Sequence, residues 1–194
     1  MAPPRPRKIA VVGSRAVGKS SMTVQFVEEH FVESYYPTIE NQFSKIIRYK
    51  GQDYATEILD TAGQAQESGS QLIQDEFSIM NQKHSIGVHG YVLVYSITSR
   101  SSFDMIRVIR DKILNNTGTE SIPMVVVGNK SDLGAQRKVE TIEGKNLAQE
   151  WNCPFVETSA RHNANIAKVF ELLIGEIEKY QNPAPDSSGK CIIT

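Results

Sequence analysis

Gly13-Ser14-Arg15-Ala16-Val17-Gly18-Lys19-Ser20 fits the spacing G-x-x-x-x-G-K-[ST]. The chemistry explains the spelling. Gly13 and Gly18 permit backbone turns that a Cβ would forbid, so successive N–H groups can point inward at phosphate oxygens. Lys19 has the reach and charge for β- and γ-phosphates, and the Ser20 hydroxyl can ligate Mg²⁺. The flanks agree. Ile9-Ala10-Val11-Val12 is a short apolar run suited to a buried strand, and Ser21 to Glu29 reads as a helix with Met22, Phe26 and Val27 near helical spacing. The helix N-terminus would add its dipole to the anion site. A structural Gly-rich turn would use the same glycines, but the strand–loop–helix setting favours the phosphate cradle. Arg15 stands out as a large cation inside the loop.

The rest of the chain fits one domain. Its 194 residues suffice for a sizeable core, and a net charge of −1 gives no basic field for nucleic acid. Apolar runs stay far short of the ~20 residues a membrane helix needs. The first eight residues, Met-Ala-Pro-Pro-Arg-Pro-Arg-Lys, lack the apolar stretch of a secretory signal and read, over residues 1–7, as a disordered arm. Two cysteines, Cys153 and Cys191, suggest no disulfide framework and a reducing compartment. Cys153 reads as a core residue.

Strand-like and helix-like segments alternate, which argues for an α/β domain with a largely parallel sheet. Gln42–Tyr49 and Tyr54–Asp60 flank Lys50-Gly51-Gln52, a hairpin signal. Tyr91–Tyr95, Met124–Val127 and Pro154–Glu157 read as further strands. Met105, Ile106, Ile109 and Ile113 suggest one helix. Ile166, Val169, Phe170, Leu173 and Ile177 give the clearest amphipathic face.

Four further segments narrow the ligand. Tyr36-Pro37-Thr38-Ile39-Glu40 offers Thr38 to complete the Mg²⁺ shell and touch a γ-phosphate. Asp60-Thr61-Ala62-Gly63-Gln64 ends a strand. Asp60 is placed to hold Mg²⁺ through water, the Gly63 N–H to meet the γ-phosphate, and Gln64 to orient an attacking water. Asn129-Lys130-Ser131-Asp132 follows another strand. A carboxylate there can accept both guanine N1–H and N2–H₂, whereas adenine has a ring acceptor at N1 and no 2-amino group. Glu157-Thr158-Ser159-Ala160 places the Ala160 N–H where it could meet guanine O6. Each motif alone is weak. All in this order, each at the C-terminal end of a predicted strand, lie on the edge where open α/β sheets bind ligands.

With these motifs in place, residues 8–180 resemble the Ras superfamily of small GTPases, in particular the branch with Arg at the third loop position. Gln25-Phe-Val-Glu-Glu-His-Phe31, Tyr36-Pro-Thr-Ile-Glu-Asn41, Gly90-Tyr-Val-Leu-Val-Tyr-Ser96 and the ending Cys191-Ile-Ile-Thr194 carry the resemblance further. It implies a P-loop small-GTPase fold: a six-stranded, mostly parallel sheet with one antiparallel edge strand and five helices on both faces. It also implies binding of GTP and GDP with Mg²⁺, slow GTP hydrolysis, and switch segments near residues 33–41 and 63–86. By the same resemblance Phe31 stacks edge-on against guanine, Tyr35 covers the phosphates and Lys130 packs along the base. Ala16, Val17, Ser21, Val32 and Ser159 join Gly13, Arg15, Gly18 and Lys19 as nucleotide contacts. The expected partners are an exchange factor, a GTPase-activating protein and an effector, the TOR growth-kinase complex. The chain itself is expected to be a monomer. Phe31 and Tyr35 also read as ordinary core or surface aromatics.

Three departures stand out. Most relatives carry Gly where Arg15 stands. Its side chain would project near the γ-phosphate, so slow hydrolysis and a mainly GTP-loaded state are expected; a solvent-pointing Arg without kinetic effect is the alternative. Relatives also follow Asp-Thr-Ala-Gly-Gln directly with an acidic pair. Here residues 65–74 intervene before Asp75-Glu76-Phe77-Ser78. Three readings stay open: a true insertion, a misdrawn exon boundary and a splice form. Gln64 keeps its link to Gly63, and Gln74 its link to the acidic pair; reach favours Gln64 as the catalytic glutamine. Tyr36 replaces the Asp usual before Pro-Thr, which would retune partner choice.

Residues 181–194 read as a flexible polar tail ending in the C-a-a-X box Cys191-Ile192-Ile193-Thr194. Prenylation of Cys191 is expected, farnesyl before geranylgeranyl because the last residue is neither Leu nor Phe. Only Lys190 is basic nearby and no second Cys can take palmitate, so one lipid gives reversible attachment. The expected location is the cytosol and the cytoplasmic face of internal membranes. A GTP-locked interaction module with little hydrolysis is the competing function, and a P-loop kinase or ATPase is disfavoured by Asn129–Asp132.

Overall fold

In the computed structural model, residues 3–31, 40–63 and 87–182 are described. Their order is β1 (Arg5–Gly13), α1 (Lys19–Glu28), β2 (Glu40–Tyr49), β3 (Gln52–Thr61), β4 (Gly90–Ser96), α2 (Arg100–Thr117), β5 (Met124–Asn129), a 3₁₀ helix (Ser131–Gln136), α3 (Thr141–Glu150), β6 (Phe155–Thr158) and α4 (Ile166–Gln181). The six strands form one sheet in the order β2-β3-β1-β4-β5-β6. Only β2 runs antiparallel to its neighbour, as expected. Of the five expected helices, four lie among the described residues.

The run Ile9–Val12 is apolar throughout because both faces of the sheet are covered. Ile9 and Val11 pack with Phe26, Phe170, Leu173 and Ile177 of α1 and α4. Ala10 and Val12 pack on the other side with Leu93, Ile109 and Ile113. The hairpin closes one residue tighter than its sequence suggested: Tyr49 pairs with Gln52, leaving Lys50 and Gly51 at φ 47° and 80°. Two positive φ values match the right-handed strand twist in such a turn.

One expectation is corrected and one helix is added. Arg5, Pro6 and Arg7 belong to β1 rather than to a disordered arm. Arg5 pairs with Tyr54 of β3, and Arg5 and Arg7 both bond Glu178 of α4. A local reading of a Pro/Arg-rich start cannot see either partner. Helix α3 also gave no sequence signal, since its buried residues are only Gly144, Leu147 and Ala148. A capping box fixes its start: Glu140 accepts from the Glu143 backbone, and Glu143 accepts from the Glu140 N–H at 3.0 Å.

Candidate functional site

The C-terminal ends of β1, β3, β5 and β6 gather at one edge of the sheet. The Gly13–Ser20 loop leaves β1 there. A Cβ on Gly13 would lie 2.1 Å from the Val94 carbonyl oxygen, so the loop can leave β1 on this path only with Gly. Gly18 caps α1 at φ 94°, and a Cβ on it would meet the Asn129 side chain at 2.4 Å. Ala16 holds φ 59° within the turn. Lys19 and Ser20 open the first turn of α1, with Ser21 next.

Lys19 is nearly fully buried. Its ammonium curls back to donate to the carbonyls of Gly13 at 3.2 Å and Ser14 at 3.1 Å. Burial lowers its pKa to about 8, an effect that Asp60 opposes and Arg15 reinforces. Asp60 has no exposed surface, and among the described residues neither carboxylate oxygen completes a well-formed hydrogen bond. Burial raises its pKa, while the Ser20 hydroxyl and Lys19 pull it down. A buried carboxylate in this state is costly unless a cation or donors face it. Mg²⁺ takes oxygen ligands and is usually held by one or two carboxylates together with substrate phosphates. Asp60 beside Ser20 suits that ion, and Lys19 beside them suits the phosphates.

Three links bind the phosphate loop to the Asn129–Asp132 segment. The Asn129 amide donates to the carbonyls of Val17 at 2.9 Å and Gly18 at 3.4 Å. Its Oδ1 accepts from Thr158 Oγ1 at 3.1 Å, so one buried side chain joins β5, β6 and the loop. Lys130, at φ 66°, reaches over to donate to the Ala16 carbonyl at 2.7 Å. Burial lowers its pKa, against the nearby Asp132. Asp132 accepts from Ser159 Oγ at 2.6 Å, and Ser159 in turn accepts from the His162 N–H at 3.2 Å. This leaves Asp132 held by a buried hydroxyl, with Ala160 next to it in sequence and also buried.

Gly63 closes the site from the β3 side. A Cβ on it would lie 2.4 Å from Arg15 Cα and 2.6 Å from Arg15 N, so the two segments touch backbone to backbone. Arg15 Nε donates to the Gly63 carbonyl at 3.2 Å. Thr61 anchors the same strand end, donating from Oγ1 to the Val11 carbonyl at 2.9 Å.

The structure thus brings together Gly13, Arg15, Ala16, Val17, Gly18, Lys19, Ser20, Asp60, Gly63, Asn129, Lys130, Asp132, Ser159 and Ala160. Phe31 is half-buried against the cluster that holds Phe26 and Phe170, the packing role its sequence also allowed. Val32, Tyr35, Thr38, Gln64, Cys191 and residues 65–74 lie outside the described residues. The sequence reading gave no separate role to Thr158, whose hydroxyl orients Asn129. Its place inside Glu157-Thr158-Ser159-Ala160 was the available signal.

Comparison with known proteins agrees with this arrangement. The Ras family profile matches residues 8–179. The chain is 66% identical to the GTP-binding protein rhb1 of Schizosaccharomyces pombe over the whole of both chains. It is 51% identical to a GTP-binding protein Rheb homolog of Dictyostelium discoideum, again over both whole chains. To the human GTP-binding protein Rheb it is 47% identical over 96% of each chain. The chain therefore belongs to the Ras family: it is a Rheb-like small GTPase that binds GTP and GDP with Mg²⁺ and hydrolyses GTP to GDP and phosphate.

Proposed function

We propose that this GTPase reads guanine and triphosphate through the residues gathered above, turns over slowly, and signals growth control to the TOR kinase complex from a membrane. The observation that carries the nucleotide part is the chain of bonds from the Gly13–Ser20 loop through Asn129 to Thr158, with Asp132 fixed by Ser159 beside it. It supports Asp132 as the acceptor for guanine N1–H and N2–H₂ beside the phosphate cradle.

In this reading Lys19 exchanges its two carbonyl partners for β- and γ-phosphate oxygens. The loop N–H groups and the α1 dipole take the remaining charge. Ser20 and Thr38 would hold Mg²⁺ directly and Asp60 through water. When bound, the ion neutralises charge building on the phosphates. The Gly63 N–H would meet the γ-phosphate, and Gln64 would orient the attacking water. Positioning supplies most of the catalysis in this chemistry. Arg15, tied to Gly63, stands where it can hold that strand end away from the productive position, which supports slow turnover.

Regulation by an exchange factor and a GTPase-activating protein, and the TOR complex as effector, rest on the likeness to Rheb. Attachment through a prenyl group on Cys191 rests on the C-a-a-X ending, and the expected place is the cytosol and internal membranes. Nucleotide released from purified protein, followed by a GTP time course, tests the first part; GDP and GTP should be recovered and ATP should not compete. For attachment, a Cys191→Ser chain should move from the membrane fraction to the soluble one. Unchanged fractionation would remove the lipid reading.

A further inference from the structure

Helix α1 begins at the phosphate cradle but ends badly by its own sequence. Its last four carbonyls lack partners within the helix, and its C-terminal end carries partial negative charge. The chain places Glu28 and Glu29 there and no basic residue in the last turn. Two carboxylates at that end add to the unfavourable charge. The helix stops on Glu29 in the left-handed region, at φ 59°.

The missing cation arrives from β2. Lys45 Nζ donates to the Phe26 carbonyl, one of those four. The same ammonium lies 3.7 Å from Glu29 Oε1 and 4.7 Å from the centroid of the Phe26 ring. That ring stacks on Phe170 of α4, with centroids 3.9 Å apart. Lys45 itself is fixed from behind, since its carbonyl accepts from Thr56 Oγ1 on β3. A single side chain therefore caps α1, faces Glu29 and pins the helix to the sheet and to α4, while Glu28 lies 3.5 Å from His30 Nδ1.

We infer that Lys45 is a positioning residue for nucleotide retention. It fixes the far end of the helix whose first turn carries Lys19 and Ser20, and it fixes the exit from which the chain runs to Phe31. Without it, α1 keeps its apolar contacts but loses its only cap at this end among the described residues. The first turn then holds the phosphates less firmly. The inference rests on the nucleotide reading above.

The test is dissociation of a fluorescent GDP analogue from the full chain, chased with excess GDP. Lys45→Met keeps the apolar stem and loses the charge and the donor. It should release nucleotide about threefold to tenfold faster, with the single-turnover GTP hydrolysis rate within about twofold of wild type. Lys45→Arg should restore slow release. Unchanged release from Lys45→Met, or failure of Lys45→Arg to restore it, would overturn the inference. Lys45 is largely shielded but not buried, so both variants should fold; melting of each nucleotide-free chain within a few degrees of wild type confirms that the difference is in retention. If wild type itself retains no guanine nucleotide, the nucleotide reading fails instead, and the two failures are distinguishable.

Discussion

Arg15 Nε donates to the Gly63 carbonyl at 3.2 Å, joining the third position of the phosphate loop to the strand end that precedes Gln64. The backbones of the two residues are close enough that any Cβ on Gly63 would collide. The side chain stays exposed, yet it is tied to the strand end of β3.

Replacing Arg15 by Gly removes this tie and a bulky cation from the phosphate loop. Single-turnover GTP hydrolysis should rise several-fold. Stability should change by no more than about 0.5 kcal/mol, because the side chain is exposed. Equal rates would remove the argument for obstruction. Negligible hydrolysis in both proteins over hours would favour the GTP-locked alternative.

Ser159→Ala leaves Asp132 without the hydroxyl that orients it. A hydrogen bond to a charged group is worth about 1.5–3 kcal/mol, so GDP should bind roughly tenfold to a hundredfold more weakly. Asp132→Asn should act differently. It sets a donor where guanine also presents donors, so preference should move toward xanthine nucleotides, whose C2 carries a carbonyl. Competition binding with both bases would show the crossover.

Gly18→Ala forces a Cβ into a left-handed residue and against the Asn129 amide. Strain of this kind costs about 1–3 kcal/mol. The purified variant should carry no nucleotide and unfold at lower denaturant. Retention of stoichiometric GDP would contradict the close packing seen here.

Glu178 holds Arg7 through Nη2 at 2.5 Å and Nε at 3.2 Å, and Arg5 through Nη1 at 3.1 Å. Burial would raise its pKa, but Arg7 outweighs it together with Tyr54 and Arg5, and the net direction is down. A depressed carboxylate contributes stability above its unfolded pKa and loses it as pH falls through the folded one. Glu178→Ala should cost about 1–3 kcal/mol at neutral pH. Thermal melts should show a gap from wild type that shrinks below roughly pH 4, where the unfolded carboxyl is already protonated.

Burial pushes the Cys153 thiol up to about 12. Its thiolate fraction at pH 8 is then on the order of one in ten thousand. Brief alkylation of the folded, unprenylated chain should modify one thiol, Cys191. Cys191→Ser protein should remain unlabelled until it is unfolded, as mass spectrometry would show.

Much of the site was legible because phosphate binding constrains sequence locally. Gly13, Gly18, Lys19 and Ser20 act within one turn, so their spacing is the chemistry. Asp60, Asn129 and Asp132 could be assigned to one ligand because strand ends of a parallel sheet meet at one edge. Roles that depend on distant partners were not legible. Asn129 was read through its motif alone, yet its amide is spent on Val17 and Gly18, about 110 positions away. Helix α3 was missed because one capping box and three small or apolar residues leave no periodic signal.

The sequence by itself determined the alternation of strands and helices, the phosphate loop and the Asn129–Asp132 motif, since each is written within a few consecutive residues. Only the tertiary structure decided where Arg15 goes, what holds Asp132, and how α1 ends. Those answers lie in Gly63, Ser159 and Lys45, which neighbour their partners in space and not along the chain. Charge and hydrogen-bond partners are settled by which backbone happens to pass within 3 Å, and that depends on the assembled sheet.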